Sequence, residues 1–131
     1  MSRKLAILDD NQRILESRLR RLAVELPRLV EQRVRAAMVI GSVAAGRARD
    51  TSDIDVVLLL RGGEPVRAHY RWWEREVAPA LAVDDRFPVQ PLFVAQTALR
   101  TTEPNLRAAL ASGIRLWDPE RLFDDQPESR A

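Results

Sequence analysis

The sequence has no cysteine, one histidine and a single lysine among its twenty-one basic residues. Without cysteine there is no disulfide framework and no thiolate metal site, which fits a reducing cytosol. The lone histidine, His69, sits on a helical pattern, where it reads as structural or exposed rather than as a general base. Aromatic residues make up 5% of the chain and do not interleave with its arginines, so a base-stacking platform for nucleic acid is not expected. No apolar run approaches the length of a membrane span, and the N-terminus MSRKLAILDD turns acidic where a signal peptide stays apolar. A soluble, cytoplasmic protein is therefore expected. The net charge is only +2, because acids offset the arginines, and nucleic acid is not the expected main partner.

The 131 residues predict one domain, 1–131, large enough to bury a core without staples. Leu8, Leu15, Leu19, Leu22, Leu26 and Leu29 recur at helical spacing and predict a long helix over about 5–34. Pro27 falls inside it and is expected to kink or divide it. Arginines such as Arg13, Arg18, Arg20 and Arg21 read as a solvated face with i,i+4 acidic partners. Ala36 to Ile40 reads as a short buried strand ended by Gly41, followed by one or two turns of helix from Ser42. Arg47 to Ser52 reads as a polar loop. Asp53 to Leu60 is the next strand, and its run VVLLL is apolar on both faces, as in a strand covered on both sides.

Arg61-Gly62-Gly63 signals a turn, and a helix then runs from Glu64 or Pro65 to about Leu81, with Pro79 expected to end it early. Trp73 falls on the core stripe of that helix and Trp72 outside it, at the surface or an interface. FPVQPLFV, 87–94, reads as a strand that its two prolines demote to an edge or an irregular strand. Thr101 or Thr102 is expected to cap a helix through about Ala111, with Gly113 ending it. Ile114 to Trp117 reads as the last strand, with a loose tail over about 119–131. The order predicts an α/β (α+β) fold: a small mixed sheet of about four strands packed with helices.

The chemistry concentrates between Val39 and Leu60. Gly41 lets a ligand approach the backbone, Ser42 offers a hydroxyl, and the helix opening behind them favours an anion such as phosphate. Asp53 and Asp55 lie two apart and so share a face of the strand, where they repel each other unless a cation sits between them. A hard divalent ion that takes its other ligands from substrate phosphates suits such a pair. Arg47 and Arg49, in the intervening loop, are candidate phosphate contacts.

Gly41-Ser42, ten intervening residues, then Asp53-Ile54-Asp55 between two apolar runs resembles the signature of the DNA polymerase β-type nucleotidyltransferase superfamily, in particular its minimal nucleotidyltransferase members. The match covers mainly Val39 to Leu60, and the stretch Gly113 to Asp118 is similar to the closing strand of these domains. The resemblance implies that Gly41 and Ser42 hold a nucleotide triphosphate, that Asp53 and Asp55 bind Mg2+, and that AMP passes from ATP to an acceptor hydroxyl with release of pyrophosphate. It also implies a helical HEPN-type protein as partner, in a toxin–antitoxin couple. The leucine face of the first helix would dock that partner or a second copy, or else pack on its own sheet. One departure stands out. Active members carry a third acid on a later strand, where this sequence has Gln90; Asp84 and Asp85, just upstream, are the substitutes in reach. A catalytically impaired module of the same fold that binds nucleotide or a partner is the alternative reading.

Overall fold

A computed structural model of the chain describes residues 3–81, 86–101 and 103–124, with side chains from residue 10 onward. Four strands, β1 (Val34–Ile40), β2 (Ile54–Leu60), β3 (Val89–Val94) and β4 (Ile114–Trp117), form one mixed sheet in the order β3-β2-β1-β4. β1 runs antiparallel to β2 and β4, whereas β2 and β3 are parallel. The fold is the α+β arrangement that the sequence predicts. Pro91 lies in β3, which is an edge strand, so the ladder bond it cannot donate is lost on the open side.

β2 is central, and all of its residues after Asp55 are buried. Its alternate side chains feed two cores. Ile54, Val56, Leu58 and Leu60 face a larger cluster built with Leu15, Leu22, Leu26 and Val30 of helix α1 (Arg3–Val30), together with Trp73, Val77 and Phe93. Val57 and Leu59 face a smaller cluster with Met38, Val94, Leu99, Leu110 and Phe123. The continuous apolar run was thus a sign of a strand buried on both faces, as read.

α1 continues unbroken through Pro27 to Val30, ending short of the expected residue 34. Pro27 falls in its last turn and forfeits one donor, yet the turn closes beyond it, with Glu31 N–H donating to the Pro27 carbonyl at 2.9 Å. The residues released from the helix let β1 begin at Val34, two residues earlier than expected. The leucine stripe from Leu15 to Val30 packs on the chain's own sheet, and the exposed apolar residue of this helix, Val24, lies off that stripe.

The next helical region starts late and changes register. α3 (Arg67–Trp72) leads into a π-helical turn, Trp73–Val77, and then α4 (Ala78–Leu81). Ala78 N–H reaches back five residues to the Trp73 carbonyl. The widened turn absorbs Pro79, whose ring would otherwise press on the Arg75 carbonyl, and so the helical path reaches Leu81 instead of stopping early. His69 Nδ1 accepts from Val66 N–H at 2.9 Å at the start of α3, a structural role. Trp72 is half-buried against the larger core rather than at the surface, with the Arg33 guanidinium 4.8 Å from its ring centroid.

α5 (Pro104–Ser112) is capped by Glu103, whose carboxylate accepts from Asn105 and Leu106 N–H, and this holds the Glu103 carboxyl below its usual range. The expected cap at Thr101 or Thr102 is thus displaced; Thr101 Oγ1 instead accepts from Glu103 N–H, and Thr102 lies outside the described residues. The tail is not loose at its beginning. Asp118 accepts from Leu122 and Phe123 N–H, and the short 3-10 turn Leu122–Asp124 inserts a fully buried Phe123 into the smaller core. Residues 125–131 lie outside the described residues. A second 3-10 turn, Gln96–Arg100, which the sequence pattern did not signal, contributes Leu99 to the same core.

Candidate functional site

Where β1 ends and β2 begins, the antiparallel register sets Ile40 opposite Asp55. Gly41 immediately follows with φ of 76°, a left-handed conformation that side chains rarely adopt. A Cβ there would lie 2.8 Å from Asp55 Oδ2. Two constraints, backbone angle and space, therefore require glycine at the same position, and the tight turn is what holds the Asp55 carboxylate against the main chain. Ser42 is exposed in the first turn of α2 (Gly41–Ala44), a helix whose start no side chain caps.

Asp53 lies just before β2, exposed, and Asp55 is its first polar residue, partly buried. Neither carboxylate has a hydrogen bond or ion pair with another described residue. Burial raises the Asp55 carboxyl above its usual range, and repulsion from Asp53 adds to the effect. Two oxygen donors side by side, one at a glycine that leaves the approach open, fit a divalent ion such as Mg2+ that completes its shell with phosphate and water.

The parallel register between β2 and β3 sets Gln90 beside Asp55. Directly paired residues share a face, so Ile40, Asp55 and Gln90 form a row across one end of three adjacent strands, and Gly41 flanks it through its close approach to Asp55 Oδ2. Gln90 is thus the β3 residue that stands in register with Asp55. Asp84 and Asp85 lie outside the described residues. Among the described residues no three His, Cys, Asp or Glu side chains come together.

The arginines of the loop divide from this row. Arg49 closes the turn before β2, its N–H donating to Ser52 Oγ at 2.8 Å, and lines a cleft of about 610 Å³ with Asn11, Gln12, Leu15 and Phe87. None of Gly41, Ser42, Asp53 or Asp55 lines that cleft. Arg47 is exposed, with its N–H bonded to the Ser42 carbonyl at 2.8 Å.

One charged residue was misjudged from sequence. Arg18 is not on a solvated face but 9% exposed, with Nη1 donating to the Leu81 carbonyl at 2.9 Å and Nε to the Phe87 carbonyl at 3.4 Å. Its signal was available: it falls between Leu15 and Leu22, three residues after one and four before the other, squarely on the apolar stripe.

Comparisons with known proteins agree with this arrangement. Residues 19–93, more than half of the chain, match the sequence pattern of a family described as nucleotidyltransferase domain. No curated protein matches the chain by sequence. Its fold is similar to a crystal structure of a toxin–antitoxin with AMP-PNP, at a TM-score of 0.55 and 19% identity over 78% of this chain and 77% of that one. It is also similar to the toxin–antitoxin MntA-HpeT in a variant with two aspartates, two positions apart, changed to glutamate; there the TM-score is 0.53 and the identity 16%, with the same coverage. At such identities the likeness is one of fold. The matched segment spans the whole Gly41 to Asp55 turn and ends in β3, and on that ground the chain belongs to the nucleotidyltransferase domain family and is a transferase.

Proposed function

We propose that the chain transfers a nucleoside monophosphate, AMP from ATP, to an acceptor hydroxyl on a partner protein of the HEPN type. The observation that carries this reading is the pair of unpartnered acids, Asp53 and Asp55, set against the left-handed Gly41. Asp53 and Asp55 would hold Mg2+, which supplies charge neutralisation at the phosphates and acidifies the attacking hydroxyl. Gly41 keeps the approach to Asp55 clear, and Ser42 presents its hydroxyl and backbone N–H to the phosphates. Asp55, fixed by its strand, sets the position of the reacting phosphate between the Gly41 side and the Gln90 side of the row. The toxin–antitoxin neighbours, one with AMP-PNP, lend support for a nucleotide substrate and a protein partner. As an expectation, residues 1–131 act as one domain.

The test is incubation of the purified protein with Mg2+ and α-labelled ATP, alone and with its cell lysate. Label on a protein acceptor, lost in the Asp53→Asn variant, is the expected result; ATP bound without any transfer would overturn it. That second outcome belongs to an impaired module, which the placement of Gln90 beside Asp55 favours. Gln90→Glu distinguishes the two: in an impaired module it creates Mg2+-dependent transfer, and in an active enzyme it tightens Mg2+ binding without being needed.

A further inference from the structure

Arg18 lies away from the acids, on the opposite face of the sheet, and its surroundings form a second site. A cavity of about 420 Å³ opens beside the β3 edge, with Arg18, Tyr70, Trp73 and Glu74 in its walls alongside Val89 and Gln90. A guanidinium that is nine-tenths buried ordinarily has a carboxylate, because an uncompensated buried charge is costly. Arg18 has none among the described residues: its hydrogen bonds go to two backbone carbonyls, which compensate only in part. Its Nη2 group has no partner there and is not sealed from solvent. Arginine's flat fork suits a planar carboxylate, and the aromatic and aliphatic walls suit an apolar body behind it.

The π-helical turn is a second, independent observation. It places both Trp73 and Glu74 in the wall of this cavity, and π turns within helices recur at functional sites. Glu74, at the exposed rim, repels any anion that enters and so limits how tightly one is held. Gln90 is shared: it lines the cavity and is in register with Asp55. Gly41 lies on the other side of Asp55, since the strand order is β3-β2-β1.

We propose that the Arg18 cavity binds a carboxylate carried on an apolar or aromatic body, presented across the β3 edge by the molecule that accepts the nucleotide. The cavity stands by itself; assigning its ligand to the acceptor rests on the transferase reading above. A phosphate group shares the anionic chemistry and is the other source of the same contact.

The test uses the full chain with 15N-labelled arginine, without ATP or Mg2+, so that it is independent of transfer. The Arg18 Nε–H resonance is followed during titration with propionate, with inorganic phosphate and with chloride at matched ionic strength. A saturable shift with propionate and not with chloride, unchanged in Asp53→Asn, is expected. Saturation by phosphate alone would overturn the carboxylate assignment. A shift that follows ionic strength, or that disappears in Asp53→Asn, would overturn the site, leaving Arg18 as a tie between helix and loop. Arg18→Lys, read by tryptophan fluorescence, is expected to weaken propionate by about tenfold or more. Should that variant fail to fold, Glu74→Gln decides: removing the rim charge strengthens propionate by a few-fold if the anion sits in this cavity, and no change counts against it.

Discussion

The two ends of β1 hold acids of opposite character. At its far end Asp53 and Asp55 have no basic partner among the described residues, and the Asp55 carboxyl is pushed up by burial and by its neighbour. At its start the Arg35 guanidinium grips Glu120 through two hydrogen bonds, of 3.0 and 2.7 Å, and on the neighbouring strand Arg115, in register with Met38, joins Arg121 in engaging Asp124. These carboxyls are held below their usual range by their arginines. The chain has arginine in abundance, so the unpaired state of Asp53 and Asp55 is not forced by composition. Paired acids fasten the C-terminal turn to the sheet; unpaired ones are left to repel each other at a cost in stability, as the proposed cation site requires.

Replacement at the open end should have the largest effect. Asp55→Asn is expected to lower Mg2+-dependent transfer by about a hundredfold or more while the circular dichroism spectrum is retained. Glu120→Gln should leave transfer unchanged, and comparable losses in both variants would erase the contrast. Next comes the anchor that the paired acids surround: Phe123→Ala should cost about 3–5 kcal/mol in urea unfolding, because the ring is fully buried, yet preserve ATP binding below the transition. Gly41→Ala joins the two effects. It should destabilise by about 1–3 kcal/mol through its backbone angle and also weaken Mg2+ binding, since the new methyl group displaces Asp55 Oδ2. A variant that lost stability and kept full metal affinity would show that Asp55 does not depend on the turn.

The smallest effects are those of pH, and their signs oppose. Asp55 binds its proton more tightly folded than unfolded, so its contribution to stability is present below the ordinary aspartate range and is lost as pH rises through its raised folded value. Without metal, Asp55→Asn should therefore be slightly more stable than the parent at neutral pH and lose that advantage on acidification; added Mg2+ should close the gap by stabilising the parent. Glu120 behaves in reverse. Its contribution is present above the ordinary glutamate range and is lost as pH falls through its lowered folded value, so Glu120→Gln should be slightly less stable at neutral pH and equal to the parent in acid. Thermal melts across pH, with and without Mg2+, read both.

What was legible in the sequence were features whose physics is local. Period-two and helical spacing gave the strands, the leucine stripe and the two-sided burial of β2, and the two prolines of FPVQPLFV identified an edge. Helix limits near proline do not follow from the pattern, because the packed helix can carry the loss of one donor: α1 runs through Pro27 to Val30, and the π turn before Pro79 leads the path on to Leu81. The tail past Asp118 was taken as loose because its sequence is polar, yet one phenylalanine and one capping aspartate suffice to pin it.

The sequence by itself determined which residues are candidates for the site, since glycine, serine and two aspartates at that spacing can be read without coordinates. It could not say that Asp55 stands against Gly41, that Gln90 lies in register beside it, or that Arg18 is buried with no carboxylate among the described residues. Those relations join residues as far apart as α1 and β3. They are set by strand register and by which elements share a core, and neither exists until the chain has packed.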